Sequence, residues 1–338
     1  MGKHLGKSSF QFETPPTVRA WASAVGQKEA EGPLGQTFDS VSRDPYWGQK
    51  TWEQAEQTMQ QTVLRRVLRK GELSAQDLGA VFSGDLLNQC IGSSFCLQNT
   101  GIPHVGLYGA CSTMAQSLCL AAMAVGGGFL KTAAAMTSSH FCSAERQYRF
   151  PLGYGGQRTP ESQWTVTGAG ALLLEEGGKG PRVTGCTLGT VESLGVTDAS
   201  NMGAAMAPAA LSTLRAHFED FSASPQDYDL IVTGDLGLLG RDILKKMGEK
   251  EGMILGDNYQ DCGCMIFDPT VQAVGMGGSG CGCSASVLCG ALLNLLSSGR
   301  LRRLLFCGTG ALLSPLTTQQ GLPIPGICHA VVLEAPNP

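Results

Sequence analysis

The sequence is poor in charge, and this bounds the classes of protein to which it can belong. Asp, Glu, Lys and Arg together make up 15% of its 338 residues, against roughly a quarter in ordinary globular chains. The formal net charge of −4 leaves no basic surface for a nucleic acid. A surface with so few charges favours partial shielding by another protein or by a membrane.

Secretion and membrane-spanning signals are also lacking. The opening stretch "MGKHLGKSSFQFETPP" has no apolar core of the kind that a secretory leader needs. The longest apolar stretches lie near 118–130 and 286–296, and glycine or polar residues interrupt both. Each falls short of the roughly 18 residues that a spanning helix requires. We therefore expect a soluble chain, or one attached peripherally to a membrane.

The 13 cysteines follow neither a disulfide nor a zinc pattern. Their number is odd and several lie within apolar runs, which is typical of reduced, buried thiols in a reducing compartment. The pairs Cys262/Cys264 and Cys281/Cys283 are each separated by a single residue. This is tighter than the zinc-knuckle spacing of roughly two to four residues. We expect structural thiols and no metal site.

Two cysteine-containing segments are copies of each other. Residues 111–136 align without gaps on residues 283–308, so that Cys111 falls on Cys283. Each copy predicts a helix of about four turns, a glycine stop, a basic residue and then a buried strand.

A second pair of segments supports an internal duplication. Residues 74–87 align on residues 224–237, and this places Asp85 on Asp235 at the ends of two predicted strands. The order of helix, turn, strand and cysteine-containing helix therefore occurs twice. It predicts an α/β chain of two pseudo-symmetric halves, with mostly parallel sheets covered on both faces.

The boundaries follow from this repeat. The first half spans residues 1–176, in which 1–45 form an N-terminal extension or a first strand and loop, and the second half spans 177–338. Residues 143–166 are polar, aromatic and rich in Gly and Pro. Loops of that length are usually functional or disordered.

The doubled unit resembles a known superfamily. With "GACSTM" (109–114) in the first half, it is similar to the thiolases and ketoacyl synthases, and "TVTGAGALLLE" (165–175) and "CGTGALLSP" (307–315) resemble strands of that fold. The resemblance covers about 50–335. It implies a thiolase-like fold whose two halves stack as α-β-α-β-α layers.

A more specific resemblance is to the stage V sporulation protein AD family. It rests on five segments taken together: "FSGDLLNQ", "MTSSHFCSAERQYRFP", "YGGQ", "GSGCGCSA" and "GTGALLSP". It implies a spore protein that binds dipicolinic acid (pyridine-2,6-dicarboxylic acid) for uptake into the forespore. It also implies peripheral attachment to the spore inner membrane through membrane-embedded proteins of the same operon. The superfamily further implies a possible homodimer.

Cys111 has the setting of an acyl nucleophile, at a helix N-terminus where the dipole lowers a thiol pKa. Such a nucleophile also needs a base or oxyanion donors. The resemblance places a His and an Asn, or a second His, in loops that here read "TGDLGLLG" and "GGSGCGCSA" and offer Asp235, Cys281 and Cys283. An ionised aspartate repels a thiolate and cannot donate to an oxyanion. We therefore predict a former acyl-transfer pocket kept for binding, with no catalytic residue.

Two helix N-termini, at Cys111–Ser112 and Cys283–Ser284, should converge if the halves pack as in that superfamily, and such ends attract carboxylates. Serine hydroxyls after the first buried strand would add donors. The predicted ligand-binding residues are Cys111, Ser112, Ser138, Ser139, His140, Asp235, Cys283 and Ser284.

Several alternatives stay open at this point. His140 fits a local hydrogen bond as well as a ligand contact, and Cys283 and Ser284 fit core and helix-cap positions. Asp85 fits a turn cap, and Asp235 fits either a turn cap or a contact to calcium in a dipicolinate chelate. Calcium would enter only as part of the ligand. The competing functions are an acyltransferase acting through Cys111 and a structural subunit with a vestigial pocket.

Overall fold

The structure is a computed structural model that describes residues 2–148 and 158–336. The strands are β1 Gly2–Leu5, β2 Ser9–Phe12, β3 Thr17–Gly26, β4 Ser40–Ser42, β5 Ala80–Gly84, β6 His104–Gly106, β7 Thr132–Ser139, β8 Trp164–Thr165, β9 Gly168–Glu175, β10 Arg182–Thr187, β11 Leu230–Thr233, β12 Tyr259–Asp261, β13 Gly278–Ser279, β14 Arg303–Ala311 and β15 Gly326–Glu334. The helices are α1 Gln27–Ala30, α2 Trp52–Lys70, α3 Ile91–Leu97, α4 Thr113–Gly126, α5 Phe141–Tyr148, α6 Met202–Phe221, α7 Gly237–Lys250, α8 Cys262–Ile266, α9 Cys281–Val287, α10 Leu293–Ser297 and α11 Pro315–Gln319.

The sheet records the duplication directly. Its main path runs β12-β11-β14-β15-β10-β3-β9-β7-β5-β6. From β3 outward and from β10 outward, each half shows two antiparallel pairings followed by two parallel ones. The halves join where β10 meets β3, with Arg182 opposite Thr17. The boundary expected at residue 176 falls between β9 and β10.

The expectation of mostly parallel sheets was wrong, because each half is mixed. The connections from β7 to β9 and from β14 to β15 begin and end at the same edge of the sheet. The strands that they join therefore run antiparallel. Residues 1–45 contain four strands, and β3 among them lies in the middle of the sheet path.

The layers stack as α-β-α-β-α, as predicted. On β7, Ala133 and Ala135 face the central apolar cluster, which holds α4 and α9, whereas Ala134 and Met136 face the outer cluster with α2. The strands of the second half alternate in the same way between the central cluster and an outer one formed with α6. Strand side chains point alternately to opposite faces, so each apolar strand serves two layers.

The second cysteine helix differs from the first by a π-helical turn, Leu288–Leu292, between α9 and α10. A π turn accommodates an extra residue. The gapless alignment of residues 111–136 on 283–308 therefore does not fix which residue of α9 corresponds to Cys111. No helix within the described ranges combines the length and the apolar character needed to cross a bilayer.

Candidate functional site

A cavity opens beside Cys111, where the two halves meet. Cys111 lies in a 3-10 turn directly before α4 and is 5% exposed. Ala110 precedes it with φ at 51°, a left-handed conformation that is strained for a residue with a Cβ. The lining residues are Leu86, Ala110, Cys111, Ala144, Glu145, Tyr148, Thr165, Met202, Ser279, Ala311 and Leu313.

Asp235 lies close behind Cys111. Its carboxyl group follows β11 and is fully buried, near enough to the Cys111 thiol to act on it electrostatically. Burial raises the pKa of Asp235 to about 7. Burial, together with the negative charge of Asp235, raises the pKa of the Cys111 thiol well above its ordinary value. The lowered thiol pKa expected at a helix N-terminus was therefore wrong, because desolvation outweighs the dipole here.

The remaining hydrogen-bonding capacity of Asp235 is used within the protein. Its carboxylate accepts from the N–H of Gly280 at 2.9 Å and from Thr309 Oγ1 at 2.8 Å. Ser279 Oγ lies at 3.4 Å. These donors lie on β14 and at the start of α9, so Asp235 ties three elements together behind Cys111 and does not line the cavity.

The two helix starts meet, as predicted, but a different cysteine of α9 faces Cys111. Cys281, the first residue of α9, shares a small apolar cluster with Cys111, Leu86 and Ala144. Its thiol donates to the carbonyl oxygen of Ser138 at 2.9 Å. Gly280, directly before Cys281, has a φ of 97°, so both cysteines follow a left-handed residue.

Cys283 and Ser284 lie away from the cavity wall. Cys283 is buried in the central core, and Ser284 donates to the carbonyl oxygen of Cys281 at 3.3 Å. Ser112 is also buried and donates to the carbonyl oxygen of Gly109 at 2.6 Å. Cys283 thus takes the core position that the sequence left open, whereas Ser284 and Ser112 form local hydrogen bonds.

Ser138 belongs to a buried polar network instead of the cavity. Its hydroxyl donates to Glu56 at 2.8 Å and accepts from Gln60 at 2.6 Å, both on α2. Ser143 donates to the second oxygen of Glu56 at 2.8 Å. Burial, with the nearby charge of Asp85, raises the pKa of Glu56 to about 8.

Ser139 and His140 are positioned by backbone groups. Ser139 donates to the carbonyl oxygen of Val166 at 2.7 Å and accepts from the N–H of Gly282 at 3.1 Å. His140 is 1% exposed, and its Nε2 donates to the carbonyl oxygen of Pro45 at 2.8 Å, while Nδ1 accepts from the N–H of Cys142. Burial lowers the pKa of His140. Of the residues predicted to bind ligand, Cys111 lines the cavity in this structure and the other seven do not.

Polar wall residues come from a region that the sequence marked only as a segment. Glu145, Tyr148 and Thr165 line the cavity, and all three lie within 143–166, the stretch too long for a plain loop. The sequence analysis named this segment but did not identify these three residues as part of the site. Tyr148 OH donates to the carbonyl oxygen of Leu86 at 2.5 Å and lies 2.6 Å from Tyr108 OH. Residues 149–157 of this segment, including "YGGQ", lie outside the described residues.

All 13 cysteines are free thiols, and no group of three or more His, Cys, Asp or Glu side chains within 2–148 and 158–336 has the arrangement of a metal site. The C-x-C pairs thus lie within the protein as separate thiols.

Comparison with known proteins resolves the family. The model of the stage V sporulation protein AD (SpoVAD) family matches residues 6–334. The chain belongs to the stage V sporulation protein AD family. It is 42% identical over 332 residues to stage V sporulation protein AD of Bacillus subtilis (strain 168), and this match covers 98% of each chain.

Solved structures establish the fold. A variant of OleA from Xanthomonas campestris aligns with a TM-score of 0.62 at 14% identity, covering 96% of this chain and 99% of that one. The 3-oxoacyl-[acyl-carrier-protein] synthase III of Aquifex aeolicus aligns with a TM-score of 0.57 at 13% identity, covering 94% and 99%. The corresponding FabH of Xanthomonas oryzae gives 0.59 at 16% identity, covering 96% and 99%. The predicted thiolase-like fold is thereby confirmed.

Proposed function

We propose that this chain binds dipicolinic acid in the cavity beside Cys111 and serves its uptake into the developing spore without catalysing a reaction. Family membership makes it a sporulation protein. The observation that carries the finer proposal is the burial of the Cys111 thiol beside the buried Asp235 carboxyl group.

This contact works against nucleophilic catalysis. A cysteine attacks as its thiolate, and a base or a positive neighbour is needed to form one. Here the neighbour is an acidic side chain that raises the pKa of the thiol. Four histidines have other partners: His104 contacts Ser83, His140 contacts Pro45, His217 contacts Thr187 and Tyr228, and His329 contacts Gly189.

The cavity has the lining of a small-molecule site, with mostly apolar walls and a few polar groups. Leu86, Ala144 and Leu313 offer apolar contact to the faces of a pyridine ring. The hydroxyl groups of Tyr148 and Thr165 would donate to a ligand carboxylate by exchanging their present acceptors, the carbonyl oxygen of Leu86 and the carboxylate of Glu145.

Calorimetry with dipicolinic acid, in EDTA and then with calcium, tests the proposal. We expect saturable one-to-one binding, and isophthalic acid, which has the same two carboxylates on a ring without nitrogen, is the matched control ligand. Absence of heat with dipicolinic acid under both conditions would contradict the proposed function. Comparing the two conditions determines whether the free acid or the calcium chelate is the preferred ligand.

The proposal includes a location. We propose that the chain attaches peripherally to the spore inner membrane through membrane-embedded proteins encoded with it, as a monomer or a homodimer. Washing spore membranes with alkaline carbonate should then release it. Release by detergent alone would contradict peripheral attachment.

Acyl transfer is the second candidate, and the left-handed Ala110 before Cys111 favours it, because backbone strain often accumulates at catalytic positions. Incubation with acyl-coenzyme A followed by intact-mass measurement distinguishes the two. We expect no adduct; a stoichiometric acyl adduct that disappears in Cys111→Ala would favour the acyltransferase.

A further inference from the structure

A half-buried ion pair adjoins the cavity, and its acidic member forms part of the wall. Arg158 Nη1 lies 3.1 Å from Glu145 Oε1, and Thr165 Oγ1 donates to the same oxygen at 3.1 Å. Glu145 and Thr165 both line the cavity, and the Glu145 side chain is 6% exposed. The guanidinium group of Arg158 is therefore one side chain removed from the space that a ligand would occupy.

Its surroundings hold this guanidinium group in place. The rings of Phe141 and Trp164 stack at 3.9 Å, and Arg158 Cζ lies 5.5 Å and 5.3 Å from their centroids. Arg158 also donates to the carbonyl oxygen of Gln163. Contact with aromatic rings stabilises a guanidinium group and leaves its N–H donors directed along its plane.

The charges of the site create a need for a cation. Among the described lining residues there is no Lys or Arg, whereas Glu145 is acidic and Asp235 lies directly behind Cys111. A ligand with two carboxylates would find no cation among these lining residues, and burying an uncompensated anion is costly. A guanidinium group compensates a carboxylate well, because it can donate two parallel hydrogen bonds.

We propose that Arg158 is the specificity-determining residue for a dicarboxylate: on binding, its guanidinium group exchanges Glu145 for one carboxylate of the ligand. This inference rests on the proposed function. Glu145 holds the guanidinium group at the wall when the cavity is free of ligand, and competes with the ligand for it.

Two substitutions should therefore act in opposite directions. Calorimetry in EDTA would use dipicolinic acid and pyridine-2-carboxylic acid, which carries a single carboxylate. In Arg158→Gln we expect affinity for dipicolinic acid to fall by about tenfold or more, the usual scale of a charge-assisted bidentate contact, and affinity for the monocarboxylate to fall less. In Glu145→Gln we expect affinity for dipicolinic acid to rise by several-fold, because a competing negative charge is lost while the acceptor for Thr165 is kept.

The exposed pair Arg215 and Glu251, 3.2 Å apart, supplies matched controls. Arg215→Gln and Glu251→Gln should bind both ligands like the parent. Arg158→Lys keeps the charge without the planar fork, and should give an intermediate loss. Thermal midpoints of all variants identify any that fail to fold.

The outcomes separate this inference from the proposed function. If the parent does not bind dipicolinic acid, the proposed function fails and the inference fails with it. If the parent binds and a folded Arg158→Gln variant binds equally well, the inference alone is overturned. Equal weakening of both ligands in Arg158→Gln, or weakening in Glu145→Gln, would also overturn it, since each indicates a structural role or a direct ligand contact by Glu145.

Discussion

The two halves carry a Gly-Asp pair at the end of equivalent strands, but the two aspartates bind different partners. Gly84 ends β5 and Asp85 follows it, and Gly234-Asp235 directly follows β11. Asp85 accepts from the N–H groups of Leu87 and Ser93 at 3.0 and 2.7 Å, and so holds its own loop. Asp235 instead accepts from the N–H of Gly280 and from Thr309 Oγ1, close behind Cys111.

Asp235 is not needed to hold the loop that follows β11, because Asp261 accepts the hydrogen bonds of that loop in the second half. At the end of β12, Asp261 accepts from the N–H groups of Leu236 and Gly237 at 2.9 and 3.0 Å and from Thr233 Oγ1 at 2.7 Å. The comparison shows how a duplicated strand end becomes available for a site. A second carboxylate fills the structural role, and the original one bonds instead to the start of α9 and to β14.

The largest effect should come from removing either loop-holding carboxylate. Asp85→Ala and Asp261→Ala each leave buried N–H groups without an acceptor, and we expect each to lower the free energy of unfolding by about 3 kcal/mol. Urea denaturation measures this, with Asp268→Ala in a surface loop as the control. If Asp261→Ala costs under about 1 kcal/mol, Asp261 does not replace Asp85 in the second half.

The next effect concerns pH. Burial raises the pKa of Asp235 to about 7 and that of Glu56 to about 8, above the ordinary carboxyl values of 3.8 and 4.5. As pH rises, the unfolded chain releases these protons first, so their contribution to stability is complete below about pH 4 and is lost as pH approaches 7 to 8. Asp235→Asn should remove part of this loss, on the order of 2 kcal/mol between pH 5 and 8.

Unfolding free energies should be measured at several pH values for the parent and both variants. Asp235→Asn reports the loss of stability with rising pH in the second half, and Glu56→Gln reports it in the first half. Glu219→Gln, on the exposed face of α6, is the control. Parallel pH curves for the parent and Asp235→Asn would show that Asp235 is not held protonated in the folded protein.

The residues before the two cysteines should respond unequally. A Cβ at Gly280 would lie 2.7 Å from Ser139 Oγ at a φ of 97°, so Gly280→Ala should lower stability by roughly 1.5 kcal/mol. Ala110→Gly is the matched change in the first half and should alter stability by under about 0.5 kcal/mol, since relief of strain offsets the greater freedom of the unfolded chain. Thermal denaturation compares them; equal effects would mean that the two turns are equally constrained.

The smallest expected effects distinguish a residue that stabilises the fold, Ser138, from one that contacts the ligand, Thr165. Ser138→Ala removes a hydroxyl that joins Glu56 and Gln60, and should cost about 1 kcal/mol of stability without changing affinity for dipicolinic acid. Thr165→Val, at the cavity wall, should weaken binding more than it weakens folding. Denaturation and calorimetry on both variants check this contrast. Weaker binding in Ser138→Ala with unchanged stability would indicate that Ser138 contacts the ligand.

Much of the fold could be predicted because repeats are visible in a single chain. Ser74 and Asp77 form a capping box before β5, and Ser224 and Asp227 form the same box before β11. The site was harder to predict. Cys111 lines the cavity, but β7 carries Ser138 toward α2, and Cys283 lies in the central core because α9 begins two residues earlier, at Cys281.

The sequence by itself determined the family, the two halves, the strand-end carboxylates and the cysteine beside the cavity, because these depend on local patterns and on a repeat along the chain. Only the tertiary structure decided that Cys281 faces Cys111, that Asp261 releases Asp235, and that Glu145 lines the wall in contact with Arg158. The physical reason is that these contacts join residues far apart in the chain. Their geometry depends on helix register and strand facing, which the packing of the layers sets.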